Sequence, residues 1–257
     1  MGLVYVFLYT PILVLIVFSF NDSRFTAEWS GFTTRWYGAL FHNREWLRTG
    51  WNSLSIGVVS TGIATVFGTM AALGLERTRF RARGAAVAML YLPIVVPDLI
   101  LGISLAVFYF WTGIPLGRST VVFAHVAYNV SFVAVVVRAR VRALPPQLEE
   151  AARDLGANRW TAFWRVEFPL MAPAVLSGAL LAFTNSIDDF VVTYFTAGPG
   201  ATTLSLRIFS TLRFGLTPEV NAVSALLLTN SMVLLLLAIA LGRRAVESER
   251  PLVGIEG

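Results

Sequence analysis

Six stretches of this sequence are apolar for long enough to cross a lipid bilayer as helix. They run at about Leu3–Phe20, Leu54–Leu75, Ala85–Trp111, Ser119–Val137, Leu170–Val192 and Val220–Leu241. A spanning helix takes roughly 20 apolar residues, because hydrocarbon offers no water to bond an open backbone. The expected fold is therefore an all-α integral membrane protein, one transmembrane domain of six helices over residues 1–257. A hydrophobic fraction of 56% and a mean hydropathy of +0.69 exclude an ordinary soluble domain. The first stretch has no basic segment before it and no small-residue cleavage site before Asn21, so it reads as an anchor. Its abrupt start suggests a missing basic extension or a different start codon.

Arginine placement predicts the orientation. Segments 76–84, 138–169 and 242–257 hold thirteen arginines, and segments 21–53, 112–118 and 193–219 hold seven. The richer set is expected in the cytoplasm, with both termini. Glu76-Arg77-Thr78-Arg79-Phe80-Arg81-Ala82-Arg83 then reads as a solvated anchor among lipid headgroups. All 20 basic residues are arginine. A phosphate-binding P-loop needs a lysine, so if ATP drives this protein another chain hydrolyses it. The chain has no cysteine, and only His42 and His125, which gives no expected metal site. The charge of +5 follows from membrane topology and calls for no nucleic acid.

The longest polar interruption in the second half is 138–169. Pro145 and Pro146 suit a first helical turn, and Glu149 and Glu150 lie where a helix N-terminus favours negative charge. Gly156 is expected to end that helix in the left-handed region, Asn158 to cap a second short helix, and Pro169 to stop it. Leu148, Ala151, Ala152 and Leu155 form an apolar stripe, with Phe163, Trp164 and Val166 beside it. An amphipathic loop lying on the membrane is the other reading.

Polar residues within the apolar stretches are few. The third stretch is interrupted by Pro93 and Pro97, with Pro97 expected at a first helical position and Asp98 in the first turn. Asp98 would sit roughly 20 Å into a straight span, near the midplane. It reads either as a functional site or as a cap within the break. His125, Asn129 and Ser131, like Asn230 and Ser231, read as helix-packing residues. The fifth stretch ends in Asp188-Asp189, rotated about 100° from one another on a regular helix. Asp188 is expected to face a pathway and Asp189 to cap or brace the outer segment. A turn-rich Thr193–Gly200 follows, then a short helix within Thr203–Leu216, and Thr217-Pro218-Glu219 opens the last helix. The aromatic residues of 21–53, among them Trp29, Phe32, Trp36, Tyr37, Phe41, Trp46 and Trp51, read as an interfacial belt with a short helix.

Glu150-Ala151-Ala152, three residues, Gly156, nine residues, then Val166-Glu167-Phe168-Pro169 resembles the EAA loop of ABC-importer permeases, with Val166 and Phe168 in place of isoleucine and leucine. Ser186-Ile187-Asp188-Asp189-Phe190, Gly198-Pro199, Leu206-Arg207-Ile208-Phe209-Ser210 and Pro218-Glu219-Val220-Asn221-Ala222 are similar to the spermidine/putrescine permease family of the PotC type. So are Phe32-Thr33-Thr34, Trp36-Tyr37 and Ala151–Ala157. The resemblance implies a type I, MetI-like importer permease in a bacterial inner membrane. Glu150, Ala151, Ala152, Asp154, Gly156 and Pro169 would form the loop that docks on an ATPase. The implied partners are a second permease, two ATPase subunits carrying ATP and magnesium, and an extracytoplasmic binding protein. For a cationic passenger, Asp98, Asp188 and Asp189 would be charge partners, and Tyr194 would offer a cation–π face. A permease for thiamine, ferric iron or a phosphonate is the alternative within the family. An ion-coupled transporter using Asp98 is the alternative outside it.

Overall fold

The computed structural model describes residues 2–23, 28–78, 80–145, 147–213 and 217–247, the last six by backbone alone. Among them there is no strand, only an isolated bridge between Asn21 and Phe32. The helices are α1 (Gly2–Phe18), α2 (Arg35–His42), α3 (Arg44–Arg77), α4 (Arg83–Val95), α5 (Asp98–Thr112) and α6 (Arg118–Ala143). They continue with α7 (Gln147–Asp154), α8 (Arg159–Ala162), a π-helical turn (Phe163–Glu167), α9 (Phe168–Asp188), α10 (Val191–Thr196), α11 (Leu204–Leu212) and α12 (Pro218–Glu247).

The expected six spans resolve unevenly. Among the described residues, four helices are long and apolar enough to cross a membrane: α3, α6, the run Arg159–Asp188, and α12 over Pro218–Leu241. α4 and α5 form a fifth only as a pair bent by 105°, and α1 is a shorter apolar helix of 17 residues. The bend lies at Val96-Pro97, both extended (ψ 129 and 136). Proline drives the residue before it out of the helical region, so two consecutive extended residues turn the chain. Pro97 is the N-cap of α5 rather than its first helical residue, and Pro93 lies inside α4 without breaking it. The depth expected for Asp98 on a straight helix therefore does not hold.

The centre of the molecule is α3 against α6, with α9 across both and α12 on α9. Ser60, Ala64, Gly68 and Ala72 are buried at every fourth position of α3. Small residues at that spacing let two membrane helices approach, which matters because packing rather than water release holds helices together in lipid. The approach is closest at Gly68, where a Cβ would lie 2.8 Å from Val133 Cβ and 2.9 Å from the Val130 carbonyl oxygen. Ala72, Val133, Val137, Met171 and Ala182 form the core beside it.

Other boundaries also differ from expectation. α3 starts ten residues earlier than the second stretch, at Arg44, because Asn43 caps it by accepting from the Glu45 amide at 2.9 Å. Trp36 and Trp46 are not belt residues: they are buried with Leu40, Ala222 and Val223, and only Trp29, Phe32, Phe41 and Trp51 remain exposed. Pro169 does not stop the second loop helix. The π turn bonds the Phe168 amide to the Phe163 carbonyl, moving the register by one residue where proline offers no N–H, and the helix runs on into α9. The fifth stretch ends at Asp188 rather than Val192, and α10 occupies the start of the expected turn segment. Within Thr203–Leu216 the helix covers 204–212, and 214–216 lie outside the described residues. Arg79, Pro146 and Arg250 also lie outside them, as do the side chains of Arg243 and Arg244.

At the 138–169 end, Glu76 accepts from Arg83 at 3.0 Å and Arg142 at 2.9 Å, and pairs with Arg138. Arg77 pairs with Glu167 of the π turn, and Arg140 donates to the Leu170 carbonyl at 2.8 Å. The expected free basic anchor is thus partly an ion network that ties α3, α4, α6 and the loop together.

Gly68→Ala should lower stability by about 1–3 kcal/mol, since the added methyl meets a carbonyl and a branched side chain that cannot both retreat. Gly62→Ala, with nothing within 4 Å, should leave stability unchanged or slightly raised. Thermal unfolding of both in one detergent checks the pair; equal midpoints would contradict the close approach.

Candidate functional site

The helix break between α9 and α10 organises the polar residues of the interior. Asp188 is the last residue of α9 and Asp189 its C-cap, with extended backbone (φ −62, ψ 126). The break turns the two carboxylates into different surroundings. Asp189 is folded inward, its side chain only 10% exposed. It accepts from the Val192 amide at 3.3 Å, and from the Thr193 amide and hydroxyl at 2.7 Å each. It thereby caps α10, satisfying donors that a helix start leaves open. His125 Nε2 stands 3.3 Å from the same carboxylate.

Asp188 is exposed, and its carboxylate oxygens both lie 2.8 Å from the Ser231 hydroxyl of α12. Among the described residues it has no cationic partner. Asp98, at the start of α5, is exposed and forms no side-chain cap. α5 packs along α10, with Leu101 and Leu105 against Tyr128 and Val192. Tyr194 on α10 is half exposed and stands beside Phe190 and Phe195, ring centroids 5.7 and 5.2 Å away. Asp188 and Asp189 thus stand at the α9–α10 break, Tyr194 lies on α10, and Asp98 opens α5, which packs along α10; of the three carboxylates Asp189 is the one held by several internal donors.

The 147–167 loop is a second candidate region. α7 ends in a Schellman pattern: the Gly156 amide bonds the Arg153 carbonyl at 2.9 Å, and the Ala157 amide bonds the Ala152 carbonyl at 3.0 Å. Gly156 has φ +87, which a residue with a Cβ adopts at a cost. Asn158 caps α8 by accepting from the Thr161 amide at 2.8 Å. Glu150, Ala151, Arg153 and Asp154 are exposed, Ala152 is half-buried, and Pro169 is exposed at the start of α9. Leu155 does not join an inward stripe. It is 90% exposed, and with Trp160 at 71% it gives the knob an apolar tip.

Sequence reasoning assigned His125 and Ser231 to packing and passed over Ser186 and Thr193. One signal was available. His125, Tyr128 and Asn129 lie at i, i+3 and i+4 of one helix, a single polar face in an apolar segment. The partner of that face was not readable, because Thr193 lies 68 residues away along the chain.

Residues 64–248 match the family model described as binding-protein-dependent transport system inner membrane component. The spermidine/putrescine transport system permease protein PotC of Escherichia coli K12 is 41% identical over 236 residues, 92% of this chain and 89% of that protein. The putrescine transport system permease protein PotI of the same strain is 41% identical over 231 residues, 87% of this chain and 82% of that one. Among solved structures, a bacterial alginate ABC transporter in complex with an alginate pentasaccharide-bound periplasmic protein contains a chain of similar fold. Its TM-score is 0.68 at 18% identity, covering 97% of this chain and 92% of that one.

Asp189→Asn places an amide N–H₂ among groups that all donate, and should cost about 1.5–3 kcal/mol, the worth of hydrogen bonds to a charged group. Asp188→Asn should change stability less than Asp189→Asn does, since its one partner, the Ser231 hydroxyl, can still donate to the amide oxygen. Unfolding midpoints of the two variants check this, and the reverse order would contradict the geometry.

Proposed function

The chain belongs to the binding-protein-dependent transport system inner membrane component family, and from that premise we propose that it is the permease subunit of an ATP-driven ABC importer for polyamines. The observation that carries the passenger's charge is Asp188. A carboxylate in a membrane helix is costly and marks function by default. Among the described residues this one has a single hydroxyl for company, while its neighbour is bonded by several donors inside the fold. An ammonium group passing by would supply the missing countercharge. The names of the relatives at 41% identity, spermidine/putrescine and putrescine permeases, support the same class of passenger.

In this reading the chain pairs with a second permease, and two ATPase subunits carry the ATP and magnesium. A binding protein outside delivers the substrate. The loop Glu150–Pro169 faces the cytoplasm, where the thirteen arginines lie, and both termini lie on that side. Glu150, Ala151, Ala152, Asp154 and Gly156 present the docking knob, with Leu155 and Trp160 as its apolar tip. Nucleotide favours one ATPase arrangement, and the knob passes that preference to the helices. A loop free to swivel would lose it, so the Gly156 turn, the Asn158 cap and the Arg77–Glu167 pair serve rigidity. Alternation follows only if nucleotide and substrate bind the outward and inward states with different affinity. Asp188, Asp98 and the Tyr194 face then act as transient partners of the moving cation.

Two measurements test this. Asp188→Asn, reconstituted with its partners, should lower spermidine uptake about tenfold or more, equivalent to losing one charge contact of about 1.4 kcal/mol. Basal ATP hydrolysis and assembly should stay within about twofold of wild type, on the same scale. Uptake unchanged in Asp188→Asn would refute the charge-partner role. Gly156→Arg should insert normally yet abolish ATP-driven uptake. Nothing lies within 4 Å of where a side chain would project, so the strain falls on the backbone turn that orients the knob. Normal uptake with normal expression would refute the coupling role.

A further inference from the structure

The structure assigns to His125 a positioning role: set on α6 and bonded to α9 and α10, it fixes the Asp189 cap and thereby the direction in which Asp188 faces. This deepens the proposed function, and rests on it only for the identity of the passenger.

His125 is fully buried on α6. Its Nδ1 lies 2.6 Å from Ser186 Oγ of α9, which is 3.2 Å from Ser60 Oγ of α3. Its Nε2 lies 3.0 Å from Thr193 Oγ1 of α10 and 3.3 Å from Asp189. The bonding pattern places hydrogen on Nε2. Thr193 has one hydroxyl proton, given to Asp189 at 2.7 Å, so toward the ring Thr193 can only accept. Nε2 therefore carries hydrogen, directed at Thr193 and the carboxylate. Nδ1 pairs with the Ser186 hydroxyl, so both ring nitrogens are bonded.

One ring thus ties three helices to the carboxylate that caps the break. The amides of Val192 and Thr193 hold Asp189 from the α10 side, and the imidazole holds it from the α6 side. Without the ring the carboxylate has donors from α10 alone, and the extended residue between α9 and α10 is free to pivot. Asp188 is the adjoining residue, so its orientation toward Ser231 moves with the pivot. Glutamine can keep the bond that matters here, since its amide nitrogen reaches the Nε2 position and offers an N–H to Asp189. Leucine fills similar space and offers no donor.

Hydrogen–deuterium exchange of the assembled complex in lipid nanodiscs tests this without reference to the passenger. In His125→Leu the Val192 and Thr193 amides should exchange about tenfold faster or more, because their acceptor is loosened, while α3 and α6 keep their protection. In His125→Gln exchange should stay within about threefold of wild type. Spermidine uptake should follow the same order, with binding-protein-stimulated ATP hydrolysis retained in both. Unchanged exchange in His125→Leu would overturn the role. So would equal acceleration in the glutamine variant, or acceleration throughout the chain, since either means that ring packing alone matters. Accelerated exchange with full uptake would overturn the link to Asp188. A wild-type complex that takes up no polyamine counts against the proposed passenger and leaves the exchange result to decide the role of His125.

Discussion

A carboxylate inside a bilayer has to be bonded within the protein or matched by a passing charge, because lipid supplies neither water nor ions. The cost of leaving it bare is several kcal/mol or more. This chain places two carboxylates side by side at the end of one spanning helix and treats them oppositely. Asp189 is bonded by two amides, a hydroxyl and an imidazole. Asp188 is left with Ser231. Meeting the first demand breaks the helix: the carboxylate takes the amides of the next turn, so α9 ends and α10 begins. The break is thus a consequence of burying Asp189, and the exposed position of Asp188 is a consequence of the break.

The remainder of the fold makes that arrangement stiff. α3 and α6 meet closely through Gly68 and the small residues in register with it, which fixes Ser60 and His125 relative to each other. At the other end the same two helices are joined through Glu76, and α3 reaches the loop through the Arg77–Glu167 pair. The loop is therefore joined to helices that already hold the polar node. In the proposed cycle a push on the knob is delivered to α3 and α6 together, and from them to the α9–α10 break.

Much of this was legible in local signals. Gly156 and Asn158 are short-range devices, and the backbone at φ +87 and the Thr161 amide bond are what those residues prefer. The break within the third apolar stretch followed from Pro97 acting on Val96. Its angle did not, because 105° depends on two extended residues in succession and on what the second half packs against. Pro169 was misleading. A proline normally ends a helix, but a π turn just before it absorbs the missing donor, and no single residue announces that turn. Trp36 and Trp46 looked interfacial because aromatic residues near a span end usually are; their burial depends on α12 folding back over α2. His125 was legible as a polar residue on a polar face. Its partners lie far along the chain, and the distinction between Asp188 and Asp189 depends on them.

The division between the two carboxylates is tested most directly at the imidazole. The chain has two histidines, so a His42→Gln background leaves one ring to observe. Solid-state ¹⁵N NMR of histidine-labelled protein in lipid should show hydrogen on His125 Nε2. The Nε2 signal should shift when Asp189→Asn is introduced and stay in place when Asp188→Asn is. Hydrogen on Nδ1 alone, or a ring that responds to Asp188 and ignores Asp189, would contradict the arrangement on which the proposed pathway rests.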